Sequence, residues 1–189
     1  MAHNKHVTAV ILAGGKSSRM GTDKGILPIQ GKPMIGRIID VVKTVVEDVV
    51  VIANNQNYHH FGLPVYVDII KDIGPLGGII TAFVKSNADK ILFLTCDSPF
   101  ITRELLVKMI ASCEDYQVVV PIHNTITEQF PVIYNRNCLA VMQQFADTRD
   151  FRLRKLNELF SVRKINVSKN NMFFNINTPY ELKLAEDEV

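Results

Sequence analysis

The sequence predicts an α/β fold of three layers, with helices on both faces of a mostly parallel central sheet. Short apolar, β-branched runs alternate with stretches whose apolar residues recur at helical spacing. The first run, Val7 to Ala13 (VTAVILA), is continuously apolar, as in a strand buried on both faces. A glycine-rich loop follows it at once, and loops at the carboxyl ends of such strands are where open α/β sheets bind ligands.

The elements follow in order. After the loop, Pro33 fits the first turn of a helix whose inner face carries Met34, Ile38, Ile39 and Val42. Residues 48–54 (DVVVIAN) read as a second buried strand and 64–68 as a third. GPLGG at 74–78 opens a helix with Ile79, Ile80, Phe83 and Val84 inward, and residues 89–96 (DKILFLTC) form a fourth strand. Thr102 is suited to cap the next helix, with Leu105, Leu106, Met109 and Ile110 as its buried stripe. This alternation implies parallel strands joined by right-handed crossovers. Beyond residue 115 the rhythm loosens: 117–121, 130–134 and 162–167 read as strands, and 138–145, 151–160 and 179–186 as helices. No repeat, low-complexity segment or linker interrupts the chain, so residues 1–189 are read as one domain.

Composition narrows the class. Of 189 residues, 47% are hydrophobic and 21% charged, which supplies a sizeable core. A net charge of +2, with acids and bases nearly balanced, argues against nucleic acid as a partner. Cys96, Cys113 and Cys138 are far apart and form no CxxC pair, which argues against a disulfide framework or a structural zinc site and for the reducing cytoplasm. No apolar run approaches the roughly 20 residues of a membrane span. A strand beginning at Val7 leaves no room for a signal peptide. The expectation is a soluble, cytoplasmic protein with no membrane partner.

The most informative segment is LAGGKSSRMGTDK, Leu12 to Lys24. Gly14, Gly15 and Gly21 let backbone N–H groups turn toward an anion with no Cβ in the way. Ser17, Ser18 and Thr22 add hydroxyl donors, and Arg19 and Lys24 add positive charge, whose hydrogen bonds to phosphate are roughly twice as strong as neutral ones. The spacing matches neither the Walker A loop nor the G-x-G-x-x-G dinucleotide fingerprint. Asp97 closes the fourth strand in LTCDSP, so its carboxylate faces the same crevice, and oxygen ligands of this kind suit Mg²⁺. His59 and His60 sit in a polar turn with no carboxylate or cysteine at metal spacing, and Cys96 is read as a packing residue.

LAGGKSSRMGTDKGILPIQGKPMI resembles the N-terminal motif of the molybdenum cofactor guanylyltransferases, also called the molybdopterin-guanine dinucleotide biosynthesis protein A family. GPLGG, TCDSPFI and FNINTPYEL resemble further blocks of that family in the same order, so the likeness runs from Val7 to Leu182. It implies a Rossmann-like nucleotidyltransferase fold, with a nucleotide-binding half over 1–115 and an acceptor-side half over 116–189. The implied reaction transfers GMP from GTP to the terminal phosphate of molybdopterin and releases pyrophosphate, by Mg²⁺-assisted in-line attack (with Mn²⁺ as a substitute). Related alternatives are a cytidylyltransferase for the same cofactor and a sugar-phosphate nucleotidylyltransferase. A non-catalytic nucleotide-binding subunit that delivers cofactor is the alternative from another class.

Residue by residue, the resemblance implies that Lys24 binds phosphate and steadies charge on the departing pyrophosphate, with Arg19 as a second cation. Leu12, Ala13, Gly14 and Gly15 contact the nucleotide through their backbone, Asn54 its base, and Asp97 the metal. Asp68 matches an aspartate that binds the nucleotide, and nearby Asp72 competes for that role. Asn175, Asn177 and Thr178 stand on the acceptor side or frame the metal site, and Thr178 with Glu181 also fits a capping box. The basic stretch Arg149, Arg152, Arg154 and Lys155 reads either as a seat for a pterin phosphate or as a solvated face, the solvated face being the default. Apo-molybdoenzymes or a small P-loop GTPase are the implied protein partners.

Overall fold

A computed structural model describes residues 7–13, 22–168 and 171–187. The apolar run near the N-terminus forms β1 (Val7–Leu12), with every residue from Thr8 to Ile11 buried. It is flanked in the sheet by β4 (Val49–Ile52) and β6 (Lys90–Thr95), both parallel to it. The parallel set ends at the short β5 (Val65–Tyr66), beyond β4. On the other side stand β7 (Val118–His123), β9 (Val132–Asn135) and β10 (Val162–Asn166), giving the order β10-β7-β9-β6-β1-β4-β5.

The sheet is mostly parallel, as the alternating pattern predicts, with one reversal. β9 lies antiparallel to both β6 and β7. The chain between β7 and β9 turns back through a short hairpin strand, β8 (Ile126–Thr127), instead of crossing over a helix. A hairpin joins antiparallel neighbours with a few residues, whereas a parallel neighbour needs a dozen or more. Asn124 and Thr125 both take positive φ, 46° and 68°, as a tight primed hairpin turn requires.

Two cores make the three layers. Ala9, Ile11, Val49, Val51, Leu92 and Leu94 face one side of the sheet, where α1 (Met34–Lys43) and α3 (Arg103–Ala111) cover them. Val10, Ile91, Phe93, Val118, Val120 and Tyr134 face the other, under α2 (Pro75–Lys85), α4 (Leu139–Asp147) and α5 (Leu153–Asn157). The period-2 alternation of a strand thus feeds both cores, and each fully buried aliphatic side chain contributes about 1.5–3 kcal/mol. A third, smaller cluster of Ile29, Met34, Ile176 and Ala185 seats α6 (Pro179–Asp187) on a small hairpin, β2 (Pro28–Ile29) and β3 (Lys32–Pro33).

Several boundaries differ from the sequence reading. Pro33 closes β3 and α1 begins at Met34, because Gln30 and Gly31, at φ 47° and 77°, turn the chain into the hairpin first. Val84 points outward at 49% exposure, since the face of α2 that meets the sheet runs through Leu76, Ile79, Ile80 and Phe83. The helix expected over 151–160 is confined to α5. Thr102 does cap α3, accepting the Leu105 N–H at 3.4 Å. No helix among the described residues is long and apolar enough to cross a membrane.

Candidate active site

The carboxyl ends of β1, β4, β5 and β6 open into one cleft of ≈ 470 Å³. Leu12 and Ala13 form its floor at the end of β1, Asn54 and Asp68 stand on one wall, and Lys24 and Asp97 on the other. Gly14, Gly15 and Arg19 lie outside the described residues.

Lys24 begins a 3₁₀ turn, Lys24–Ile26, capped by the Asp23 side chain. Its ammonium lies 2.7 Å from Asp97 Oδ2 and 2.8 Å from Asn177 Oδ1. Three segments distant in sequence therefore meet at one nitrogen: the loop after β1, the end of β6 and the approach to α6. Their side chains are only partly exposed, 16% for Lys24 and 18% for Asp97, so the pair is shielded more than a surface ion pair.

The segment carrying Asn175 and Asn177 is docked on the Asp97 turn. The Ile176 N–H donates to the Asp97 carbonyl at 2.9 Å, and the Ser98 hydroxyl donates to Asn175 Oδ1 at 2.5 Å. Thr178 Oγ1 accepts the Glu181 N–H at 3.2 Å, while Glu181 Oε2 accepts from Thr178 Oγ1 and from the Asn177 N–H. This is a capping box drawn one residue wide, and it leaves the Asn177 side chain turned toward Lys24.

On the opposite wall, Asn54 and Asp68 bind each other reciprocally. Asn54 Nδ2 donates to Asp68 Oδ2 at 3.0 Å, and the Asp68 N–H donates to Asn54 Oδ1 at 3.1 Å. The other carboxylate oxygen, Asp68 Oδ1, is buried with no hydrogen-bond partner among the described residues. Burial raises the Asp68 pKa above the usual carboxylate value, and the Asn54 bond opposes that rise. Asp72 lines the same cleft at φ 63°, so the two carboxylates named as competitors both reach it.

The glycines of GPLGG let α2 press against this wall. A Cβ on Gly78 would stand 2.8 Å from Leu12 Cδ2 and 3.4 Å from Asp68 Oδ1, and one on Gly77 only 2.4 Å from the Ile70 carbonyl oxygen. Gly74 takes φ 61° ahead of Pro75, which aims the amino end of α2, with its partial positive charge, at the cleft.

Other expected features stand elsewhere. Arg152 and Lys155 pair with Asp150 at 2.6 and 3.3 Å on the surface, which matches the solvated-face reading of that stretch. His59 and His60 form a 3₁₀ turn with Phe61, and among the described residues no three His, Cys, Asp or Glu groups gather to hold a metal ion. Cys96 is buried, as are Cys113 and Cys138, and none of the three is in a disulfide.

Four contributors had no role in the sequence reading. Asp23 Oδ1 accepts the Gly25 N–H at 3.1 Å and the Tyr58 hydroxyl, while its Oδ2 accepts Asn55 Nδ2 at 2.8 Å. Ser98 holds Asn175 as described. The acid of the Asp-Lys pair was visible in the sequence, but Tyr58, after four polar residues in an irregular loop, gave no pattern to follow.

A lysine and an aspartate meet at the carboxyl rim of a mostly parallel sheet, beside the amino end of a glycine-rich helix, an arrangement suited to a phosphate-bearing ligand. Residues 9–163 match the MobA-like NTP transferase domain. A protein of Pelotomaculum thermopropionicum named "Probable molybdenum cofactor guanylyltransferase" is 34% identical over 188 residues, 94% of this chain and 91% of that one. The molybdenum cofactor guanylyltransferase of Shewanella loihica is 34% identical over 193 residues, 97% of each chain. In fold, the crystal structure of molybdopterin-guanine dinucleotide biosynthesis protein A from Archaeoglobus fulgidus superposes with a TM-score of 0.81 at 20% identity, covering 96% of this chain and 97% of that one. The chain belongs to the MobA-like NTP transferase family.

Proposed function

We propose that this chain transfers GMP from GTP to the terminal phosphate of molybdopterin and releases pyrophosphate. The observation that carries the reading is the meeting of Lys24, Asp97 and Asn177 at the mouth of the cleft, within 2.7 and 2.8 Å. An ammonium held there is aimed where a triphosphate tail must lie if the nucleoside rests on Leu12 and Ala13.

The chain's own groups divide the work. Leu12 and Ala13 present backbone to the nucleoside, and the family likeness gives Gly14 and Gly15 the same role. Asp68 lines the same cleft with its Oδ2 held by Asn54, and the family likeness makes it the carboxylate that accepts from the nucleotide. Lys24, with Arg19, neutralises charge that gathers on pyrophosphate as the bond from the α-phosphorus to the bridging oxygen breaks. The new bond forms from a terminal phosphate oxygen of molybdopterin, already anionic near neutral pH, so no strong general base is needed. What remains is positioning, which the docked 175–178 segment supplies on the acceptor side.

The donor set fits a hard divalent cation. Asp97 would supply the carboxylate, framed by Asn175 and Asn177, whose amide oxygens hold the Ser98 hydroxyl and the Lys24 ammonium, in keeping with Mg²⁺ or Mn²⁺ sites completed by substrate phosphates and water. A bound ion of this kind supplies charge neutralisation on the phosphates. Handover to apo-molybdoenzymes or a small P-loop GTPase belongs to the same reading and is supported by the family likeness, and a cytoplasmic setting by three buried cysteines outside any disulfide.

The test is pyrophosphate release with each of the four triphosphates, with and without molybdopterin. The reading expects release that needs both GTP and molybdopterin. Preference for CTP, or replacement of molybdopterin by a sugar phosphate, would move the assignment to a sister activity. Tight GTP binding with no pyrophosphate in any mixture would point to a delivery subunit.

A further inference from the structure

We infer that Tyr58 and Asp23 are positioning residues that fix where the Lys24 ammonium stands. Tyr58 lies in the loop after β4 and is 0% exposed, yet it carries a hydroxyl that a buried site must satisfy. That hydroxyl donates to Asp23 Oδ1, the same oxygen that accepts the Gly25 N–H and so caps the turn beginning at Lys24. Asp23 Oδ2 is held from the same loop by Asn55 Nδ2 at 2.8 Å and Asn57 Nδ2 at 3.5 Å. The residue directly before the lysine is thereby tied to a loop on the far side of β1.

Gly25, directly after the lysine, closes the ring. A Cβ there would stand 2.5 Å from the Tyr58 hydroxyl oxygen and 3.2 Å from Cys96 Cβ. The lysine turn, the tyrosine and the end of β6 are thus packed as one unit, with no room for a side chain between them. Cys96 precedes Asp97, whose carboxylate receives the Lys24 ammonium. Both ends of that ion pair are therefore set by contacts that pass through Tyr58 and Gly25. Burial is the main reason the Tyr58 phenol is pushed well above its ordinary pKa, with the neighbouring Cys96 and Asp23 adding to it, so it remains a donor at any working pH.

A cap that only stabilised the fold would not act through Lys24, and this separates the two roles. The inference rests on Lys24 acting on the triphosphate, and a double-mutant cycle reads it directly. Tyr58→Phe removes one oxygen and keeps the ring, so its far-UV circular dichroism should match the native protein. Its kcat with GTP and molybdopterin should fall about tenfold, the cost of one hydrogen bond to a charged group, with the molybdopterin KM unchanged. In a Lys24→Ala background the same change should cost nothing further. Asp23→Asn, which keeps an oxygen for Gly25 and Tyr58, should retain most of the activity that Asp23→Ala loses.

The ¹H–¹⁵N resonance of the Lys24 ammonium in the ligand-free protein gives a readout independent of turnover. It should shift or broaden in Tyr58→Phe as its contacts to Asp97 and Asn177 loosen. Equal losses in the native and Lys24→Ala backgrounds, or an unchanged ammonium resonance, would overturn the inference. If the native protein turned over no triphosphate, the proposed activity would fail, and the resonance alone would decide the positioning role.

Discussion

The Lys24 ammonium and the Asp97 carboxylate, 73 positions apart in the chain, stand 2.7 Å from one another at the rim of the sheet. Neither residue reaches the other by local structure. β1 and β6 are adjacent and parallel, so the loop leaving one and the turn ending the other emerge side by side. The sheet order places the two charges together, and the cleft between β1, β4 and β6 inherits both.

Asp97 is the candidate metal ligand, so Asp97→Asn should lower turnover about a hundredfold. It should also raise the Mg²⁺ concentration that gives half-maximal rate. Pyrophosphate release titrated with Mg²⁺ checks both effects, and an unchanged half-saturating concentration would remove Asp97 from the metal site.

Asp68 links the cleft to stability through pH. Its folded pKa is raised by burial, so the folded chain holds that proton more tightly than the unfolded one. Its contribution to folding is therefore complete at low pH and is lost as the pH rises through the folded pKa. Asp68→Asn, which cannot ionise, should melt slightly higher than the native protein near neutral pH, by on the order of one or two degrees. That advantage should fade as the pH falls toward the ordinary aspartate value of about 4. The same variant should bind GTP about tenfold more weakly, because a single acceptor replaces the carboxylate. Melting curves across pH and a GTP titration check the two halves.

Gly77 and Gly78 are adjacent but should fail differently. Gly77→Ala places a methyl 2.4 Å from a backbone oxygen, that of Ile70, and should cost about 1–3 kcal/mol in urea unfolding. Gly78→Ala crowds the far end of the Leu12 side chain at 2.8 Å, with Asp68 Oδ1 and Ile52 Cγ2 in ordinary contact at 3.4 and 3.5 Å, and should fold with near-native stability. Its cost should appear in the cleft, as a GTP KM raised about tenfold while kcat holds, because Leu12 is pushed toward the nucleotide.

Lys90 opens β6 at the rim opposite Asp97 and is 2% exposed. Its ammonium has no hydrogen-bond partner among the described residues. Replacing a buried charge of this kind with a side chain of similar shape should help, so Lys90→Met is expected to gain about 1–3 kcal/mol in urea unfolding. Turnover should not change, since the site lies at the other end of the strands.

Much of this architecture was legible in the chain because the relevant patterns are local. The continuous apolar runs at β1 and β6, the Thr102 cap and the glycines before α2 each carry their reason in neighbouring residues. The reversal at β9 was not legible, because an apolar strand reads the same in either direction and only pairing decides. The hairpin at 28–33 was hidden by Gln30, a residue that seldom takes the positive φ of 47° it has here. In the site, Lys24 and Asp97 stood out because each sits in a contiguous motif that resembles the family's, Asp97 at the carboxyl end of a recognisable strand. Tyr58 did not, since its role comes from a contact across 35 positions that no spacing rule reports.

The most direct test of the account is pyrophosphate release by Lys24→Ala at saturating GTP, molybdopterin and Mg²⁺, beside the native protein. The account predicts a loss of roughly a hundredfold or more with circular dichroism unchanged. Turnover close to native in a folded Lys24→Ala protein would contradict it.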